Sequence, residues 1–171
     1  MLYENIYNFH LDDSQPINIE FIEDDVEVSL SMLLGHSTDA TISYVNNYKT
    51  HGGGTHVQGL YEGIYCSFKK YIKIYFGTAN IKYTKKDIIN DLNFVISIRT
   101  ERPLWSGNTK RILSDNRVKA AVKNGVIKSL DKIIESDQSF FNASSVMRMA
   151  AFMHVFKSSL KENHPDIERS E

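Results

Sequence analysis

The apolar residues of this chain repeat with two different periods, and the changeover falls at three consecutive glycines. Val26, Val28, Leu30 and Met32 alternate with Glu27, Ser29 and Ser31, the period of two that turns one face of a strand to a core and the other to water. Val57, Leu60, Tyr61, Ile64, Phe68 and Ile72 instead follow one face of a helix. Gly52-Gly53-Gly54 stands directly before that second pattern. A chain carrying both periods buries both stripes by laying helices on a sheet, which predicts an α+β domain. Further strands are expected at 17–22, 40–46 and 92–99. A helix opened by Ser114-Asp115 should carry Val118, Ala121, Val122, Ile127, Leu130 and Ile134 inward, although Gly125 in its middle weakens it. Thr55 is a candidate N-cap for the first helix, and Thr84 with Asp87 an approximate capping box for a short one. Residues 74–83 read equally as loop or strand, and 101–109 as a long loop.

This organisation fits one domain of 171 residues: an arm at 1–16, a sheet–helix core at 17–136 and a C-terminal helix at 139–163. The helix at 55–73 joins the strand at 40–46 to that at 92–99, a βαβ crossover that general rules make right-handed. A single cysteine, Cys66, excludes a disulfide framework and a multi-cysteine zinc site and suits a reducing cytosol. No apolar run approaches the ~18 residues that span a bilayer, and the N-terminus has neither the basic nor the apolar region of a signal peptide. The net charge of −1 hides an asymmetry. Residues 69–132 carry fifteen Lys/Arg and five acids, a net +10 against −11 elsewhere. Such a segment is either a surface that meets phosphate or solvated helix and loop charge.

Several residues are candidates for chemistry. The glycines before the helix either turn backbone amides toward a phosphate or make a tight strand-to-helix joint; the Walker pattern is absent. His51 and His56 lack an evident third metal ligand. His36 beside Asp39 reads as a turn residue, Cys66 as a small buried hydrophobe, and Asp24-Asp25 and Asp12-Asp13 as water-facing turn acids. The loop ERPLWSGNTK, residues 101–110, holds the only Trp and a Lys that can meet a phosphate as a point charge.

Three stretches, in this order, resemble the transducer domain of the B-type subunit of bacterial type IIA DNA topoisomerases (gyrase B and topoisomerase IV B). Ser43-Tyr44-Val45-Asn46-Asn47 followed by His51-Gly52-Gly53-Gly54-Thr55-His56 and Gly59 is similar to that family's S-[FY]-V-N-N…GGTH-x-x-G signature. Thr84 to Asp87 and Asp91-Leu92-Asn93-Phe94-Val95-Ile96-Ser97-Ile98 resemble its D-x-R-E-G-L-x-A-V-[IV]-S-V strand. Ser106-Gly107-Asn108-Thr109-Lys110, with Leu113 and Val118, resembles its G-Q-T-K-x-x-L…V loop and helix. The chain departs in having Asn108 for Gln, Gly52 for an acid, and Ile89-Asn90-Asp91 for R-E-G.

The resemblance implies a ribosomal protein S5 domain 2-like fold, with a mixed sheet of about four strands, helices on one face, a left-handed crossover in place of the right-handed one, and a long C-terminal helix. It implies a cytoplasmic module that couples ATP hydrolysis to passage of one duplex through another. ATP with Mg would be bound mainly by a neighbouring ATPase domain, and none is expected in isolation. Lys110 would meet the γ-phosphate, assisted by Asn108 and Thr109, and Gly52, Gly53, Gly54, Thr55 and His56 would form the positioning junction. Lys69, Lys70, Lys73, Lys119 and Lys123 would face duplex DNA. The implied partners are the ATPase and DNA-cleavage domains of the same polypeptide, the topoisomerase A subunit and DNA, in a dimer. No ATPase or cleavage motif is present in the chain, so no complete active site is expected. The rival reading is a stand-alone, non-enzymatic adaptor of the same fold that binds nucleic acid or a protein partner.

Overall fold

A computed structural model describes residues 16–34, 40–76, 84–90 and 92–136. Most of the arm, the His36–Asp39 turn and the expected helix at 139–163 lie outside these residues. Strand β1 (Ile17–Glu23) and strand β2 (Val26–Leu34) form a hairpin whose connecting Asp24 and Asp25 have φ of 47° and 62°. Strand β3 (Thr41–Val45) and the two-residue strand β4 (Tyr48–Lys49) form another, through Asn46 and Asn47 at 48° and 67°. Two consecutive left-handed residues suit the right-handed twist of paired strands, and Asp and Asn tolerate that conformation best among residues with a Cβ. Helix α1 (Thr55–Phe76), the short helix α2 (Lys85–Asn90), strand β5 (Leu92–Arg99) and helix α3 (Asn116–Ser136) complete the order.

The sheet runs β1-β2-β5-β3-β4. It has five strands where about four are expected, because β4 is too short to leave a periodic trace in the sequence. Neighbours are antiparallel except β3 and β5, which pair in parallel, with Ser43 opposite Ile96 and Val45 opposite Ile98. A parallel pair needs a crossover, and α1 lies within it. The region at 74–83 resolves in part: α1 continues to Phe76.

One face of the sheet presents Val28, Leu30, Met32, Phe94, Ile96 and Ile98 to Leu60, Ile64 and Phe68 of α1 and to Val122, Val126 and Leu130 of α3, all buried. Each such side chain contributes roughly 1.5–3 kcal/mol on leaving water. The alternation in β2 predicts a wet reverse face, yet Ser31, Leu33, Asn93 and Val95 are buried there too, with Ile42 and Tyr44 against Leu33 and Val95.

α1 and α3 lie side by side and run the same way. A Cβ on Gly59 would stand 2.6 Å from the Lys119 carbonyl oxygen, and one on Gly63 would stand 2.9 Å from Val126. Further along, Lys70 and Tyr71 meet Asp131. Gly125, which weakens α3 by propensity, has a packing reason: the Phe21 ring occupies the space a Cβ would need.

Candidate functional site

The segment after β5 is less a loop than a hairpin. The Ser106 amide donates to the Ile112 carbonyl (2.9 Å), and the Ser114 amide donates to Leu104 (2.8 Å). Trp105 bridges Leu113 and packs, half-buried, on the core. The tip is Gly107-Asn108-Thr109-Lys110, all exposed, with Gly107 at φ 85° and Lys110 at 51°. Residues 103–114 contain Lys110 and Arg111 and no acid.

The returning arm of the hairpin lies along the triple glycine. The Gly52 amide donates to Arg111 (3.1 Å), the Leu113 amide to Gly53 (3.2 Å) and the Thr55 amide to Leu113 (2.9 Å). This approach is what the glycines permit. A Cβ on Gly54, whose φ is 136°, would collide with the Leu113 backbone, and one on Gly52 would stand 2.5 Å from Ile112. The amides of Gly52, Gly53 and Thr55 are therefore engaged within the chain, which leaves little of the phosphate cradle that is one reading of the glycines. The first helical bond, Gln58 amide to Gly54 carbonyl, makes Gly54 rather than Thr55 the cap. The Thr55 hydroxyl instead accepts from the Asp115 amide (3.0 Å).

Asp115 caps α3. It is buried, and its carboxylate accepts from the Arg117 amide (3.0 Å) and from the Arg117 guanidinium (2.9 and 3.2 Å). Burial pushes that carboxyl up, but Arg117 outweighs burial and holds it below the usual carboxylate range. The other end of the hairpin is fixed by Asn46, whose side chain donates to the Thr100 carbonyl (2.8 Å) and accepts from the Thr100 amide (3.0 Å). Sequence reasoning missed this clamp. Its signal is two adjacent asparagines in a turn, of which one is needed elsewhere.

His56 is fully buried behind the glycines. Its Nε2 lies 3.3 Å from the Thr50 hydroxyl, which bonds in turn to Ser43. Desolvation lowers its pKa from 6.5 to about 4, so the ring is neutral at neutral pH. His51 is exposed, and no group of three potential metal ligands occurs among the described residues. Cys66 is half-buried rather than buried.

The five lysines do not form one cluster. Lys119 and Lys123 flank the glycine seam, whereas Lys69, Lys70 and Lys73 lie further along α1, beginning about 9 Å beyond Gly63 at 1.5 Å per residue. Lys70 pairs with Asp131 (2.7 Å) and Lys119 with Glu62 (2.9 Å). Glu62 also receives Lys85, and the Lys119 hydrogen bond leads in holding its carboxyl below the ordinary range. Lys69 and Lys73 are exposed one turn apart. Tyr48, which no motif singles out, stands under the hairpin tip: the Lys110 ammonium lies 4.7 Å from the centre of its ring.

A family model described as DNA gyrase B matches residues 2–160. The chain belongs to the DNA gyrase B family. The B subunit of DNA gyrase from Eisenibacter elegans is 31% identical over 137 residues, which is 75% of this chain and 29% of that protein. The B subunit of DNA topoisomerase 4 from Francisella tularensis subsp. holarctica is 45% identical over 87 residues, 48% of this chain and 14% of that protein. Among solved structures, the topoisomerase IV ATP-binding domain of Francisella tularensis, in complex with a small-molecule inhibitor, superposes with a TM-score of 0.70 at 30% identity, over 83% of this chain and 39% of that one. The chain thus spans less than a third of either curated relative. As a gyrase B family member it has a mixed α+β fold, and among its described residues no helix is long and apolar enough to cross a membrane.

Proposed function

We propose that this chain acts as the transducer module of the B-type component of an ATP-dependent type IIA topoisomerase, coupling ATP turnover in a neighbouring ATPase domain to duplex passage. The observation that carries the reading is the hairpin: Lys110 stands exposed at its tip, while its base is stitched to the starts of α1 and α3. An ammonium, a hydroxyl and a carboxamide within three residues, with no acid nearby, fit a terminal phosphate. ATP supplies the anhydride whose cleavage removes that phosphate, and its Mg would be held by the ATPase domain. Lys110 gains an anionic partner only while the phosphate is present, Asn108 and Thr109 orient the tip, and Gly52 to His56 pass a shift of the tip to the helices. Asn108 is one methylene shorter than the family's glutamine, so the tip must sit closer to the phosphate for its amide to contribute.

In this reading the β3–α1–β5 connection would be the left-handed crossover of the S5 domain 2-like fold. Lys69, Lys73 and Lys123, with Lys70 and Lys119 when their acids release them, would face a DNA backbone without reading its sequence. The topoisomerase A subunit, the cleavage domain and a second copy complete the assembly, in the cytoplasm.

The test is to combine the chain with a matching gyrase-type ATPase domain and measure ATP turnover. Lys110→Ala should lower turnover about ten- to a hundred-fold, since a hydrogen bond to a charged group is worth roughly 1.5–3 kcal/mol. Equal rates would remove the sensor role and leave the adaptor reading.

A further inference from the structure

Lys70 and Lys85 each stand over a tyrosine ring, but both also pair with a carboxylate, whereas among the described residues Lys110 has the ring alone. Lys70, Lys85, Lys119 and Lys128 all reach carboxylates. Lys110 has no ion pair among the described residues and rests instead on an aromatic face, 4.7 Å from the centre of the Tyr48 ring, within the ~6 Å range of attraction between a cation and a π-system. Tyr48 is 55% exposed, so core packing does not account for the ring's position. The backbone takes part as well. Lys110 has φ of 51°, a conformation a side-chain-bearing residue rarely adopts, and the Gly52–Arg111 hydrogen bond ties the next residue to the loop that follows β4. Ring and ammonium therefore sit on one base, and the left-handed residue brings the side chain to β4.

We propose that the Tyr48 ring is the resting dock of the Lys110 side chain: a positioning residue that holds the ammonium off its nucleotide until a terminal phosphate outcompetes the ring. The proposal rests on the reading of Lys110 as nucleotide-facing and adds the state it occupies when the phosphate is absent. An aromatic face suits this purpose better than a carboxylate would. It holds a cation weakly in the presence of water, brings no negative charge near the incoming phosphate, and yields to a polyanion without a like-charge penalty.

The dock can be tested apart from the sensor. In the 171-residue chain, the Lys110 ε-methylene protons should resonate upfield from ring current in the wild type and in Tyr48→Phe, and return to the ordinary lysine position in Tyr48→Leu. With the ATPase domain present, Tyr48→Leu should bind adenylyl imidodiphosphate about two- to five-fold more tightly than wild type, the factor that corresponds to an exposed cation–π contact. Tyr48→Phe, which keeps the ring face, should bind like wild type. An unshifted Lys110 in the wild type, or equal affinities for Tyr48→Leu and Tyr48→Phe, would overturn the dock while leaving the sensor intact. Should Lys110→Ala leave turnover unchanged while the wild type shows the ring-current shift, the nucleotide reading fails and the dock loses its regulatory meaning. Loss of the native circular dichroism signal in Tyr48→Leu would overturn the dock in favour of a structural role for the ring.

Discussion

His56 sits in the chain uncharged, and that sets a pH window. Its imidazole titrates near 6.5 when unfolded and near 4 when buried. As pH falls from 6.5 toward 4, the unfolded chain takes up a proton that the folded chain refuses, so stability declines across that window and is at its full value above it. The integrated loss by pH 4 is on the order of 3 kcal/mol for one such group. Urea melts at neutral pH and at two points inside the window should show this slope in the wild type and a much flatter one in His56→Gln. Asp115 and Glu62 act lower on the scale. Their carboxyls are depressed, so what they contribute is present above about pH 4 and lost below it. The histidine is visible in the sequence as half of a spaced pair. Its burial is not, because the pocket is made by Thr50 and Ser43 on the preceding strand and turn.

At the scale of elements, the helix pair depends on having no side chain where α1 and α3 touch. Alanine is the better helix former by ~1 kcal/mol, but a Cβ at Gly59 meets a carbonyl oxygen at 2.6 Å, and one at Gly125 meets the Phe21 ring. Overpacking costs typically about 1–3 kcal/mol, so Gly59→Ala and Gly125→Ala should each lower stability, by about 1–2 kcal/mol, in thermal or urea unfolding. A gain in stability for Gly59→Ala would mean that the helices stand further apart than described, and one for Gly125→Ala that the Phe21 ring does not fill the space beside α3. The periods of two and 3.6 are enough to anticipate β1, β2, β3, β5 and both long helices within a few residues. They carry no information on close approach between residues far apart in the chain, so the Gly52–Gly54 contact with 111–113 and the purpose of Gly125 appear only in three dimensions. For the same reason the 101–109 stretch reads as loop: its ladder bonds run between arms too short to show alternation.

For the whole molecule, charge along the sequence overstates charge on the surface. Acids from outside the basic stretch come back to it in space: Glu62 to Lys85 and Lys119, Glu23 to Lys128, and Glu27 toward Arg99. Lys69 and Lys73 are the better test of a phosphate-facing surface. Reversing both to Glu should weaken duplex binding at low salt and reduce the slope of log affinity against log salt by about 2, near 0.9 per phosphate contact. Unchanged affinity would end the DNA-facing role of that end of α1.

Thr55, Leu113 and Asp115 share backbone and hydroxyl bonds at one knot, and two long helices depart from it in the same direction. In the proposed transducer role such an arrangement would work as a crank. A push of an ångström at the knot would enter both shafts together, because the close seam at Gly59 and Gly63 joins them. With 22 residues in the longer shaft, its far end lies some 30 Å away, so a few degrees of tilt at the pivot become a swing of one to two ångströms where the shaft ends.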